Sequence, residues 1–175
     1  MKSEVIPEID VLIATSLWLW TQRAIPFQYS VAKGQGINSG GNRERLVEAL
    51  DDAGVPSTFR RFVPSGPDVI AISKERYWQV ECKGAGTGQQ STQRNHFDRA
   101  VASAVSYYTD SIEPIFPEVA EAKPTLGLAV PATDKFLSLL RNRVPVALRN
   151  RLELWVLLYN TQKKRIEPIE PGREL

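Results

Sequence analysis

Apolar residues recur at helical spacing through Ile9, Leu12, Ile13, Leu17 and Trp20, which predicts a first helix over about residues 9–22, ended by Pro26. The run Lys33–Gly41 reads as a polar, glycine-rich loop. Asn42 can cap a second helix reaching about Ala53, stopped by Gly54 and Pro56. Three segments then carry strand patterning: Ser57–Val63, Pro67–Ser73 and Arg76–Lys83, the last two rich in Val, Ile, Tyr and Trp. Gly84–Gly88 reads as a connector before a long helix, about Gln90–Tyr108, with Phe97, Val101, Ala104, Val105 and Tyr108 on one apolar face. Leu126–Val130 is a short buried strand, about 134–150 is helical with a break at Pro145, and Leu152–Asn160 is a last strand. Such alternation of helices and strands predicts an α/β fold with a mixed central sheet flanked by helices.

Composition narrows the chemistry. The 175 residues carry 22 Lys and Arg against 20 Asp and Glu, a net charge of +2, so any polyanion would have to be met by a local patch. The single cysteine, Cys82, excludes an internal disulfide and a multi-thiolate zinc site. The single histidine, His96, excludes a multi-histidine centre, and its place one step off the long helix's apolar face reads as surface. A bound metal would therefore be held by oxygen, which favours magnesium, manganese or calcium. The most apolar stretch, Val11–Trp20, is shorter than the ~18 residues of a membrane crossing. Glu4, Glu8 and Asp10 stand where a signal peptide would be basic, and the expectation is a cytoplasmic protein without membrane association.

The chemistry concentrates in residues 66–83. A hairpin turning symmetrically at Lys74-Glu75 sets Asp68 directly opposite Glu81, their β-carbons roughly 4.5–5.5 Å apart on one face. Two-residue and four-residue loops share that register; Lys-Glu suits a tight primed turn poorly, so the longer loop is expected. Tyr77, Gln79, Glu81 and Lys83 then share a face with Asp68, Ile70 and Ile72, while Val69, Ala71, Trp78, Val80 and Cys82 form the apolar reverse. Two adjacent carboxylates repel unless a proton or cation lies between them, and Mg²⁺ is a natural occupant. Lys83 beside them could orient or deprotonate a water or stabilise charge on a phosphorane. The same three charges could instead decorate a solvated strand end.

Pro67-Asp68, twelve residues, then Glu81-Cys82-Lys83 resembles the signature of the PD-(D/E)xK nuclease superfamily. Asn42–Gly54 and Arg60–Asp68 upstream resemble the opening of archaeal-type Holliday junction resolvases, so the likeness covers about residues 40–109. It implies a restriction-endonuclease-like αβββαβ core, within a single domain over 1–175 whose core is about 40–131. The N-terminal helix of about 9–22 and a helix–strand extension of about 132–175 stand outside that pattern as additions. It further implies Asp68 and Glu81 as metal ligands, Lys83 as the catalytic lysine and a helix glutamate, matched to Glu44, as a further ligand, with Mg²⁺ or Mn²⁺ as cofactor. Helical angles agree: Glu44 lies about 130° and Glu48 about 170° from the centre of the face formed by Leu46, Val47, Leu50 and Ala53, so Glu48 points most directly to solvent.

Arg43, Arg45, Arg60, Arg61 and Arg94 are expected around that site as DNA contacts, and Gln93 is expected to turn towards it from the long helix. Arg141, Arg143, Arg149 and Arg151 could extend a positive track or be scattered surface charges. The reading is a metal-dependent deoxyribonuclease, with branched or structured DNA among its candidate substrates and a homodimer suited to paired cuts. A nuclease-fold module that binds DNA or a protein without cutting, and an unrelated α/β binding domain, stay open as alternatives.

Overall fold

The computed structural model describes residues 5–31, 41–86, 90–109 and 121–175. The predicted loop Lys33–Gly41 falls almost wholly outside the described residues, as does the end of the Gly84–Gly88 connector. In chain order the elements are α1 (Glu8–Thr21), β1 (Ile25–Tyr29), α2 (Asn42–Asp52), β2 (Arg61–Phe62), β3 (Val69–Ile72), β4 (Arg76–Cys82), α3 (Gln90–Ser106), β5 (Lys123–Pro131), α4 (Asp134–Arg143), α5 (Val146–Leu152), β6 (Trp155–Asn160) and β7 (Arg165–Ile169). The strands form one seven-stranded mixed sheet in the order β2-β1-β3-β4-β5-β6-β7. β3 runs antiparallel to its neighbours β1 and β4, and β5 runs parallel to both β4 and β6. No helix among the described residues is long and apolar enough to cross a membrane.

The expected hairpin register is the observed one: Val69 faces Val80, Ile70 faces Gln79, Ala71 faces Trp78 and Ile72 faces Tyr77. Ladder pairing ends at Ile72–Tyr77, and one further backbone bond between Ser73 and Arg76 closes the turn around Lys74-Glu75. The Ser73 hydroxyl accepts from the backbone N–H of Arg76 at 3.0 Å, and the Ser73 N–H donates to the Arg76 carbonyl at 2.9 Å. Alternation then sorts the faces. Val69, Ala71, Trp78, Val80 and Cys82 join the main core, whereas Ile70, Ile72 and Phe27 form a separate small cluster with Tyr77 on the reverse.

α1 lies across the first of these faces, touching β1 and every strand from β3 to β7. It is an integral layer rather than an N-terminal addition. Its buried Ile9, Val11, Leu12 and Leu19 meet the sheet, and Trp18 packs edge-on against Trp78 at 5.5 Å between ring centres. α3 covers the other face over β4 and β5, with Phe97, Ala100 and Ala104 buried. The expected face using Val101, Val105 and Tyr108 is rotated by about one residue. Small alanines let the helix backbone approach the sheet, and Tyr108 is exposed.

Other differences have local causes. β1 escapes the alternation pattern because Pro26 lies inside it, tolerated where the β1–β3 register shifts between Pro26 and Gln28. β7 contains Pro168 and is an edge strand, where a missing donor is harmless. The predicted strand Ser57–Val63 shrinks to Arg61–Phe62 because Arg60 N–H closes a turn on the Ser57 carbonyl. The last predicted strand starts at Trp155 rather than Leu152, because Leu152 ends α5 and Glu153 turns the chain at φ 50°. The helical break at Pro145 separates α4 from α5.

Gly127 in β5 faces Val80 across the β4–β5 pair, and a β-carbon there would stand 2.9 Å from Val80 Cγ2. Gly127→Ala should therefore destabilise the fold by roughly 1–3 kcal/mol through overpacking. Urea unfolding should show a smaller loss when the same change is made in a Val80→Ala background; equal losses in both backgrounds would contradict this packing.

Candidate active site

Asp68 sits one residue before β3, Glu81 one residue before the end of β4, and Lys83 just beyond it. The observed register brings Asp68 and Glu81 to the same end of adjacent strands. The backbone N–H of Cys82 donates to Asp68 Oδ2 at 2.7 Å, fixing that carboxylate against the end of β4. Tyr107, just past α3, places its hydroxyl 2.9 Å from Glu81 Oε2 and 3.2 Å from the Gly66 carbonyl, so two acceptors compete for one proton. Lys83 Nζ lies 2.8 Å from Oε2 of Glu8, the first residue of α1.

Glu8 is delivered by the backbone. Ile6 and Ala85 exchange N–H to carbonyl bonds of 2.8 Å in both directions, clamping the segment before α1 onto the segment after Lys83. Gly84 makes this possible. A β-carbon there would strike the Ile6 carbonyl oxygen and stand 2.5 Å from the Glu8 nitrogen and 2.9 Å from its Cα, all of them backbone atoms. The glycine next to the lysine is thus a close-approach residue as well as a connector.

Burial pushes the Asp68 pKa well above the ordinary carboxylate range, and the charges of Glu81 and Glu8 push it further; the Cys82 N–H and Lys83 oppose them. Glu81 is also raised, again chiefly by burial, with the Tyr107 hydrogen bond and Lys83 pulling it down. Burial alone would lower the Lys83 pKa, but its hydrogen bond to Glu8 and the charges of Glu8, Asp68 and Glu81 outweigh this and raise it. Lys83 is therefore a charged ammonium at neutral pH. Burial and the Glu81 charge raise the Tyr107 phenol, which stays a neutral donor.

These donors suit a hard cation. Asp68, Glu81 and Glu8 offer only oxygen, and the mutual repulsion that raises Asp68 is what a divalent ion would relieve. The neighbouring Cys82 thiol is fully buried, and its pKa is pushed well up by burial and by Asp68, so thiolate ligation is disfavoured. Among the described residues no three His, Cys, Asp or Glu side chains are gathered tightly enough to hold a metal alone. Asp68 and Glu81 would be the residues to hold such an ion, with water supplying the rest of its shell, as is common for Mg²⁺.

The remaining expected site residues make other contacts. Glu44 is exposed in the first turn of α2, and the carboxylate that acts on Asp68 besides Glu81 is Glu8. The Arg43 guanidinium stacks on Phe62 at 3.7 Å, and Arg45 pairs with Asp10 at 2.6 Å. Arg60 is buried against Asp51 at 2.8 Å and donates to the Val55 carbonyl, so it braces the end of α2. Arg61 is exposed, 5.6 Å from the Phe27 ring centre. Gln93 is buried and donates to the Gly86 carbonyl at 2.7 Å, tying α3 to the segment that follows β4. Arg94 lines a groove between α3 and α4 with Lys135 and Arg143. Arg149 is fully buried and donates to the Arg173 carbonyl at 2.6 Å, which removes it from any surface track. Neither Glu8 nor Tyr107 is read as a site residue from the sequence. The available signals were an acid directly after Pro7 at a helix start, and Tyr107 in phase with Phe97, Ala100 and Ala104.

Comparison with family models, with curated proteins and with solved structures finds no match to this chain.

Folding raises the Asp68 and Glu81 pKa values, so the folded state holds those protons more tightly than the unfolded one. Their contribution to stability is then fully present below about pH 4 and is lost as pH rises through the raised values. Asp68→Asn keeps an acceptor for the Cys82 N–H and removes the charge. It should stabilise the protein by on the order of 1 kcal/mol at pH 7, with the gain gone near pH 3. Thermal unfolding at the two pH values checks this; a variant less stable than the parent at pH 7 would contradict the repulsion.

Proposed function

We propose that the chain is a divalent-metal-dependent deoxyribonuclease of the PD-(D/E)xK class. The observation that carries this reading is the convergence of Asp68, Glu81 and Lys83 at one end of the β3–β4 hairpin, with Glu8 against the lysine. The sheet supports it in a form the sequence pattern does not suggest. Taken as α1–β1–β3–β4–α3–β5, the chain contains an αβββαβ run whose four strands are consecutive neighbours. The α2–β2 segment is then an insertion after the first strand, and the helix glutamate of the pattern corresponds to Glu8 rather than Glu44.

In this reading Asp68 and Glu81, with Glu8 within reach through Lys83, would hold Mg²⁺ or Mn²⁺. Such an ion supplies a Lewis acid for the phosphoryl oxygen and a more acidic water. Lys83, kept charged by its carboxylate neighbours, orients the attacking water and stabilises the negative charge that builds on the phosphoryl oxygens as the new P–O bond forms and the old one breaks. The Cys82 N–H and the Tyr107 hydroxyl fix the two carboxylates before substrate arrives, which lowers the reorganisation needed during the reaction.

Linear duplex, branched and single-stranded DNA incubated with Mg²⁺ or Mn²⁺ should be cut on at least one form, with cutting abolished by excess chelator. Lys83→Met keeps the apolar stem, so it should fold normally and lower turnover roughly a hundred- to thousandfold, the usual loss for a preorganised transition-state donor. Cleavage at the parent rate by that variant, or undiminished in chelator, would exclude this mechanism.

A further inference from the structure

α3 carries a second group of polar residues aimed at the same end of β4. Burial of Phe97, Ala100 and Ala104 fixes the helix's rotation, and Phe97 packs on Phe136 of α4 at 6.2 Å between ring centres. On the flank of that buried stripe, His96, Arg99 and Ser103 recur at spacings of three and four residues. They line a cleft of about 210 Å³ whose other wall is Glu81 and Lys83. His96 and Arg99 are both exposed to solvent.

Arg99 differs from several other cations of the chain. Lys83, Arg45, Arg60 and Arg143 each have a carboxylate within ion-pair distance, at 2.8, 2.6, 2.8 and 3.6 Å. Among the described residues Arg99 has no ion-pair or hydrogen-bond partner, although it shares a cleft with Glu81, whose Oε2 is engaged by Tyr107. Among the described residues the guanidinium fork thus has its donors unspent. That fork matches two oxygens of a phosphate. The cleft has room for about seven water volumes, enough for a backbone phosphate with part of its sugar and too little for a base pair.

We infer that this cleft binds the DNA backbone at a phosphate neighbouring the one that is cut, with Arg99 as its main holder and His96, one turn earlier, as a second donor. The inference rests on the nuclease reading for the identity of the strand and deepens it by naming how that strand is gripped. Bases then lie outside the cleft, so the contact is independent of sequence and fixes only the path of the backbone.

The test measures binding and cleavage separately, on the full chain, with a labelled duplex oligonucleotide. Equilibrium binding is followed in Ca²⁺ across a salt series, and turnover in Mg²⁺. Arg99→Ala, whose fold is checked by circular dichroism, should weaken binding roughly five- to thirtyfold on any sequence and reduce the salt slope by about one. KM should rise with it, while kcat at saturating DNA stays within about threefold. Arg99→Lys should restore the salt slope and only part of the affinity, because the charge returns without the fork. Parent-like affinity and slope in Arg99→Ala, with the parent binding and cutting, would overturn the phosphate site and leave the nuclease reading intact. A fall in kcat with KM unchanged would also overturn it, since Arg99 would then act at the cut phosphate itself. Weakened binding by Arg99→Ala in a parent that binds but never cuts would keep the site and remove the nuclease reading. A parent that binds no DNA would remove both.

Discussion

Two carboxylates that repel each other are held together by the register of one hairpin, and the chemistry of this chain follows from that constraint. Asp68 and Glu81 stand at the same end of β3 and β4 because Val69, Ala71, Trp78, Val80 and Cys82 must all turn into the core beneath α1. A slip of one residue would expose that whole apolar set, so the hydrophobic core fixes the position of the acids. Burial then raises both carboxyls, and the opposing contributions of Cys82 N–H, Tyr107 and Lys83 do not cancel the effect. A site that costs stability in this way is common where function needs charge in a confined place.

The second constraint is the closure of α1 over the end of β4. The Ile6–Ala85 bridge and the bare backbone of Gly84 bring Glu8 to Lys83, so the first helix supplies a member of the site although it is distant in sequence. The same helix covers most of the sheet, with Trp18 against Trp78 and Thr15 beside the Cys82 thiol. Core packing and site assembly are therefore two results of one docking event. On the opposite face α3 contributes Tyr107 to Glu81 and presents Arg99 to the neighbouring cleft.

What could be read from residue order was what local rules control. Strict alternation on both sides of Lys74-Glu75 made the β3–β4 register legible, and with it the proximity of Asp68 and Glu81. The periodicity of α1, α2 and α3 made those helices visible, although α3 turned out to be seated on Ala100 and Ala104 rather than on its valines. Strands broken by proline, β1 and β7, gave no usable alternation. Glu8 is a tertiary matter: its partner is 75 positions away, and nothing near Glu8 distinguishes it from an ordinary acid at a helix start. The arginines failed for a related reason, since only packing decides that the Arg60 and Arg149 side chains are buried while Arg99 meets no ion-pair or hydrogen-bond partner among the described residues.

The claim that everything else serves is that the Asp68–Glu81 pair would bind a divalent cation, with Glu8 of α1 held nearby against Lys83. Calorimetric titration of the full chain with Mn²⁺ tests it without reference to any substrate. At least one binding event per chain should appear. It should be lost in Asp68→Asn and in Glu81→Gln, and clearly weakened in Gly84→Ala, where the Glu8 backbone is pushed away while every ligand is kept. Mn²⁺ binding of parent strength in both carboxylate variants, or none in the parent, would contradict the account.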